Sequence, residues 1–203
     1  VGINADAQSV ICVEKNKNVV DLLRLIQGMN FDDLNQQIVD IIDRFGLSQS
    51  YIKGYDFYGA ESSAGLGKVN KQAFLELRDE FNKSKKRTDL LLILVLYSFN
   101  NQIRFNSKGD FNLPVGKRDY NGNSRKNVAA FNQATKKKNI IFKHADFRDI
   151  EAMKLQKDDF VYLDPPYLLG LASYNELGGW TEKDEKDLYA LLTKLHKKNT
   201  RFA

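Results

Sequence analysis

Apolar residues recur along this chain with two different periods, and the change between them divides it. From about residue 31 to 138 the spacing is helical. Leu34, Ile38, Ile41 and Phe45 fall on one face, and Gly46 stops that helix. Residues 70–82 turn Phe74, Leu77 and Phe81 inward, and residues 89–100 are apolar nearly all round, which predicts a buried helix. On either side the pattern is of short apolar runs. Residues 9–13, 139–142 and 160–163 read as strands, and a further strand begins at Thr200. A helix carrying Val20, Leu23 and Ile26 follows the first strand. Another, burying Leu188, Leu191, Leu192 and Leu195, starts at the Thr181/Asp184 capping box. The Gly- and aromatic-rich stretches 55–68 and 168–180 read as loops. This alternation predicts an α/β fold whose strand-forming parts, 1–30 and 138–203, flank a mostly helical insert, 31–137.

Residues 103–118 hold two short alternating runs around Lys108-Gly109-Asp110, the pattern of a β-hairpin with basic residues at both ends. A hairpin is narrow enough to enter a major groove, where an arginine can grip guanine with two bonds. Lys117 and Arg118, just beyond it, are placed to neutralise phosphates. A solvated hairpin whose charges only blunt a sheet edge explains the same residues equally well. The Lys136-Lys137-Lys138 cluster at a helix end reads as a solvated partner of the helix dipole.

Composition narrows the frame. The chain has 203 residues, 42% hydrophobic and 28% charged, as in soluble globular proteins. Lys and Arg number 31 against 26 Asp and Glu; the net charge of +5 permits a polyanionic partner without requiring one. One cysteine, Cys12, in an apolar run, excludes an internal disulfide framework and predicts a buried strand residue in a reducing compartment. No apolar run is long enough for a bilayer, so a soluble cytoplasmic protein is expected. His144 and His196 lack ligand spacing to another His or Cys, so no metal site is expected. Gly65-Leu66-Gly67-Lys68 tempts a phosphate-loop reading. That motif needs a glycine where Ser62 sits and a hydroxyl residue where Val69 sits, so it is rejected.

The chemistry concentrates at Phe160-Val161-Tyr162-Leu163-Asp164-Pro165-Pro166-Tyr167. A strand that runs into two prolines must stop, because proline has no amide hydrogen for the ladder. The Asp164 carboxylate, the Pro165 carbonyl and the Tyr167 ring are then left at the carboxyl edge of a sheet, where open α/β folds keep their ligands. Two acceptors beside a flat ring suit a planar base with an exocyclic amine. Glu14 ends a strand, and an acid at the end of a second strand is where doubly wound folds bind a ribose diol. Asp146 and Phe147, directly after another strand, could hold an adenine by its amine and its face.

Asp164-Pro165-Pro166-Tyr167 after a hydrophobic strand is the amino-methyltransferase signature, and the middle of the chain resembles the Dam-like, GATC-type (D12 class) N6-adenine DNA methyltransferases. The resemblance is carried there by residues 74–82, similar to that family's helical recognition domain. It is carried also by Arg104-Phe105-Asn106, Gly109, Phe111-Asn112, Pro114 and Gly116, similar to its DNA-reading hairpin. It implies a Rossmann-like domain dependent on S-adenosylmethionine, with an inserted, mostly helical recognition domain carrying a β-hairpin. It implies methyl transfer to an adenine flipped out of double-stranded DNA, by an enzyme acting as a monomer on DNA.

Position by position, the resemblance gives Glu14 the cofactor ribose, and Asp146 with Phe147 the cofactor adenine. Asp164 and Pro165 receive the target amine at the edge of the cofactor site, and Tyr167 stacks on the flipped base. Arg104 reads a guanine, Asn106 belongs to the same reading arm, Asn100 and Pro114 fill or flank the gap in the stack, and Lys117 takes a phosphate. Gln102 stands where the family often has an apolar intercalating residue. A cognate restriction endonuclease is left open as a functional partner. Methylation of another amine (cytosine N4, an RNA adenine, a protein glutamine) and DNA binding without turnover are the rival readings. The Gly-rich loop that the resemblance places just before Val1 is absent, as is its partner strand. The sequence therefore reads as a piece of a longer enzyme, with weakened cofactor binding expected.

Overall fold

The computed structural model describes residues 2–61, 63–166 and 180–203, apart from the side chain of Ala152. The first strand, β1 (Ser9–Glu14), leads into α1 (Lys17–Gly28), and α2 (Phe31–Phe45) follows. A short α3 (Ser50–Lys53) precedes α4 (Gly67–Ser84) and α5 (Thr88–Tyr97). After an arm without regular strands come α6 (Gly122–Lys137) and β2 (Asn139–His144). Then follow β3 (Phe160–Val161), α7 (Glu182–Lys197) and β4 (Arg201–Phe202).

Helix ends fall where side chains can satisfy the free amides. The Asn30 Oδ1 accepts from the Asp33 amide at 2.9 Å to open α2, and Gly46, at φ 69°, closes it in the left-handed conformation that glycine adopts without strain. At α7 the expected capping box is present: the Asp184 amide donates to Thr181 Oγ1 at 3.2 Å and the Thr181 amide to Asp184 Oδ2 at 2.9 Å. Helix α5 is buried along Leu90, Leu91, Leu92, Ile93, Leu94 and Tyr97, which explains why its sequence has no polar face. Around it pack Leu34, Ile38 and Ile42 of α2, and Phe74, Leu77 and Phe81 of α4.

Strands β1 and β2 are parallel, in register from Ser9 opposite Asn139 to Glu14 opposite His144. One face, with Val10, Cys12, Ile140 and Phe142, is covered by Val20 and Leu23 of α1 and Phe131 of α6. Polar side chains lock α1 there: the Arg24 guanidinium donates to the Phe142 carbonyl at 2.6 and 3.0 Å, and Gln27 Nε2 to the Ile140 carbonyl at 2.9 Å. The opposite face is open, with Ile11 and Ile141 each 50% exposed. Strands β3 and β4 form a separate parallel pair, lengthened by bonds from the Leu163 amide to Ala203 O and from the Ala203 amide to Val161 O.

Several expectations are corrected. The apolar run at 160–163 forms a strand buried on one face only: Val161 is buried, whereas Phe160 and Tyr162 are more than half exposed. It alternates because β3 is covered on one side only, by Ile150, Leu191 and Leu195. Leu192 is half-buried, unlike its helix neighbours Leu188, Leu191 and Leu195. Cys12 is half-buried, and its burial pushes the thiol pKa up, away from a nucleophile's range. The 55–68 stretch is not all loop: it contains a 3-10 turn (Asp56–Tyr58), and α4 begins within it at Gly67, three residues before the helix expected from residue 70. Among the described residues, no helix is long and apolar enough to cross a membrane.

Candidate active site and nucleic-acid interface

The carboxyl ends of β1 and β2 lie side by side. The Ala145 amide donates to Glu14 O at 3.2 Å, His144 Nε2 lies 3.1 Å from Lys15 O, and Lys15 Nζ is 3.8 Å from Asp146 Oδ2. Glu14 and Asp146 therefore flank one edge. Val13, Phe147 and Leu163 all pack on the cluster formed by Ile150, Val161, Leu191 and Leu195. Each of these three apolar residues adjoins an acid in sequence: Glu14, Asp146 and Asp164. One hydrophobic base is thus shared by the neighbours of three acids that the sequence separates by up to 150 positions.

The acids differ in what already occupies them. Glu14 Oε1 accepts the Asn16 amide at 2.6 Å. Asn16 caps α1 through its own oxygen, while its buried Nδ2 has no partner. A buried unpaired donor two residues from a carboxylate fits a ribose diol, which both donates and accepts. Asp146 Oδ1 accepts from the Arg148 amide at 3.0 Å and its guanidinium at 2.9 Å. Burial alone would raise the Asp146 pKa, but the Arg148 bonds and charge outweigh it and hold this carboxyl below the usual range. The ring of Phe147 is flanked by the Arg148 guanidinium at 4.4 Å and by Trp180 at 5.4 Å between centroids, the two rings tilted by 40°. Asp164 is exposed at the end of the β3 segment, with Pro165 and Pro166 half-buried behind it. Tyr167 lies outside the described residues.

The arm after α5 holds the other predicted residues. Phe99 donates its amide to Pro114 O at 3.0 Å and Gly116 to Tyr97 O at 2.7 Å, with Ser98 and Val115 bridged antiparallel. This junction brings Asn100, Pro114 and Lys117 together. Glycine is required for so close a crossing: a Cβ on Gly116 would collide with the Ser98 carbonyl, and one on Gly65 would sit 2.6 Å from Lys117 O. Residues 103–113 double back through a single antiparallel bridge between Phe105 and Phe111, rather than two regular strands. The Asn106 side chain builds the turn, accepting from the Lys108 and Asp110 amides at 2.9 Å each. The Arg104 guanidinium reaches across to Asn112, at 2.8 Å to its side chain and 3.1 Å to its carbonyl.

Two groups escaped sequence reasoning. Arg148 also pairs with Asp184 at 2.5 Å and Asp187 at 2.7 Å, tying Asp146 to α7. The Thr181 hydroxyl, with Arg148, holds the Asp184 carboxyl well below its usual range. The spacing of Asp184 and Asp187 at i and i+3 was the available signal. Fully buried Asp119 accepts from Ser48 Oγ at 3.0 Å, the Ser50 amide at 2.6 Å and Ser50 Oγ at 2.7 Å. An acid after two basic residues gave no such hint. Among the described residues no cluster of His, Cys, Asp and Glu could hold a metal ion.

Known proteins resemble this arrangement in sequence. The Type II methyltransferase M.FokI of Planomicrobium okeanokoites is 31% identical over the whole chain, and so is the modification methylase StsI of Streptococcus sanguinis. The chain spans 29% of the length of each of these relatives. A DNA adenine methylase of Escherichia coli (strain K12) is 32% identical over 99 residues, covering 47% of this chain and 34% of its own. The sequence model of the D12 class N6 adenine-specific DNA methyltransferases matches residues 32–203, and the chain belongs to that family.

Proposed function

We propose that this chain forms part of an enzyme that transfers a methyl group from S-adenosylmethionine to the N6 of an adenine in duplex DNA, in a GATC-type site. The observation that carries this reading is Asp164-Pro165-Pro166 at the open end of β3, on the same hydrophobic base as Glu14 and Asp146, in a D12 class chain. Residues 31–137 then act as the target-recognition domain and the flanking parts as the catalytic one, with a single copy acting on DNA.

S-adenosylmethionine supplies an electrophilic sulfonium methyl. Glu14, with the unpaired Asn16 Nδ2, suits its ribose, and Asp146 with Phe147 its adenine. A duplex hides the target amine, so the base is extruded at a cost of about a few kcal/mol. Stacking on Tyr167 returns roughly 1–3 kcal/mol. The amine lone pair is delocalised into the ring and is a poor nucleophile. Accepting both amine hydrogens at the Asp164 carboxylate and the Pro165 carbonyl favours a pyramidal, more electron-rich nitrogen. Positioning and electrostatics do the remaining work. Arg104 reads a guanine through the guanidinium nitrogen left free by Asn112, Asn100 and Pro114 border the vacated stack, and Lys117 neutralises a phosphate. Asn106 contributes by shaping the arm.

The test is product analysis. The purified protein is incubated with labelled S-adenosylmethionine and duplex GATC DNA, RNA or protein. N6-methyladenine in the duplex alone is expected. Label in cytosine, RNA or glutamine would replace the substrate, and duplex binding without label in any acceptor would favour a binding module.

A further inference from the structure

Arg148 joins the end of β2 to the first turns of α7. It stands in the short 3-10 helix Phe147–Met153 and bonds with all three guanidinium nitrogens. Nη1 donates to Asp146 Oδ1 at 2.9 Å, Nη2 to Asp184 Oδ1 at 2.5 Å and Nε to Asp187 Oδ2 at 2.7 Å. Lys183, 2.7 Å from Asp187, and Lys15, 3.8 Å from Asp146, balance the remaining charge. The same guanidinium lies over the Phe147 ring, 4.4 Å from its centroid. Trp180, beside Phe147, is held by α7 in turn, its Nε1 donating to Glu185 Oε2 at 2.7 Å. Both residues assigned to the cofactor adenine are therefore fastened to α7.

This arrangement exceeds what holding the two elements together requires. That task is served further along by Lys194 of α7, 2.7 Å from Glu151 of the same 3-10 helix, and by Ile150 packed with Leu191 and Leu195. An arginine presents its donors in a rigid fork, so the three carboxylates bonded to it fix one another's directions. A lysine ammonium is a point charge and cannot do so. A carboxylate offers about four lone-pair sites, so Asp146 can accept an amine hydrogen while Arg148 anchors it. Without that anchor its side-chain torsions are free and its aim is lost.

We infer that Arg148 is a positioning residue for the cofactor: by tying Asp146 to α7 it aims that carboxylate at the 6-amine of the S-adenosylmethionine adenine, and it keeps Phe147 in place for the ring. This role rests on the proposed cofactor reading and extends it to a side chain that acts through Asp146. Asp184 and Asp187 serve the site through Arg148, so α7 supports the cofactor as well as the β3–β4 pair.

The test measures binding of S-adenosylhomocysteine, and of its counterpart whose purine lacks the 6-amine. Calorimetry reads it, as does the emission of Trp180, the chain's one tryptophan. The parent should prefer the amine-bearing ligand by about tenfold. Arg148→Ala should weaken S-adenosylhomocysteine at least about tenfold and cut the preference to about twofold, because an unaimed carboxylate no longer reads the amine. Lys194→Ala removes a different ion pair between the same two elements and should keep affinity and preference within about twofold of the parent. Should Arg148→Ala fail to fold, Arg148→Lys, which keeps the charge without the fork, should lose the preference in the same way. An undiminished preference in the folded Arg148 variant would overturn the positioning role, and so would an equal loss in Lys194→Ala. Asp146→Ala should lose the preference whether or not Arg148 positions it. A preference that survives Asp146→Ala, or a parent that shows none or binds neither ligand, would overturn the cofactor reading and the role of Arg148 with it.

Discussion

The helices between Phe31 and Lys137 and the strands on either side are enclosed to different degrees. The helical part wraps α5 completely: Leu90, Ile93, Leu94 and Tyr97 are wholly buried, and even the arm contributes Phe111 and Leu113 to the same core. The strand pairs are covered on one face. Ile11 and Ile141 on one pair, and Phe160 and Tyr162 on the other, are at least half exposed. The lesson concerns division of labour. Residues assigned to DNA stand on a scaffold with its own core, whereas the acids assigned to chemistry stand at the ends of thinly covered strands.

Substitutions can break that contrast. The largest effect is expected from Leu90→Ala, which should destabilise the chain by about 2–5 kcal/mol in denaturant unfolding, as cavity formation in a packed core does. Asp119→Ala comes next. Stripping Ser48 and Ser50 of their acceptor should cost about 2–3 kcal/mol and loosen the backbone beside Lys117. Milder acid should act mainly on the strand side. Asp187 is held below its usual pKa by Lys183 and Arg148, Asp184 by Thr181 and Arg148, and Asp146 by Arg148 against its burial. Their depressed folded values make the stabilisation complete above the unfolded carboxylate pKa of about 4 and lost as pH falls below it. Thermal melting from neutral pH into this acid range should show that loss, and Arg148→Ala should flatten it. Because these pairs are partly solvated, the effect should be modest. Smallest of all, Ile141→Ser on the open face should change stability by no more than about 0.5 kcal/mol. A large loss there would mean that the open face packs against something in solution.

Legibility in the sequence followed the same line. Helices α2 and α7 could be read because the apolar stripe, the cap residues and the stop all sit within a few positions of each other. The buried α5 was readable from its lack of any polar face. The acids at 14, 146 and 164 could be placed at strand ends from local pattern alone. That their neighbours Val13, Phe147 and Leu163 pack on one cluster could not, since nothing local encodes a shared core across 150 positions. The apolar run at Phe160 concealed a one-sided strand, because run length does not report which faces are covered. Arg104 read as a free base-reader, yet its guanidinium is shared with Asn112, a cross-arm contact that residue type does not announce. Asp119 was silent for a similar reason: its partners lie about 70 positions upstream.

Methyl transfer by Asp164→Ala, measured beside its duplex retention, tests the central claim most directly. The account predicts that turnover falls by at least about 10²-fold, while DNA binding stays close to that of the parent. Near-normal turnover would contradict it, because the carboxylate at the end of β3 would then not hold the amine that is methylated.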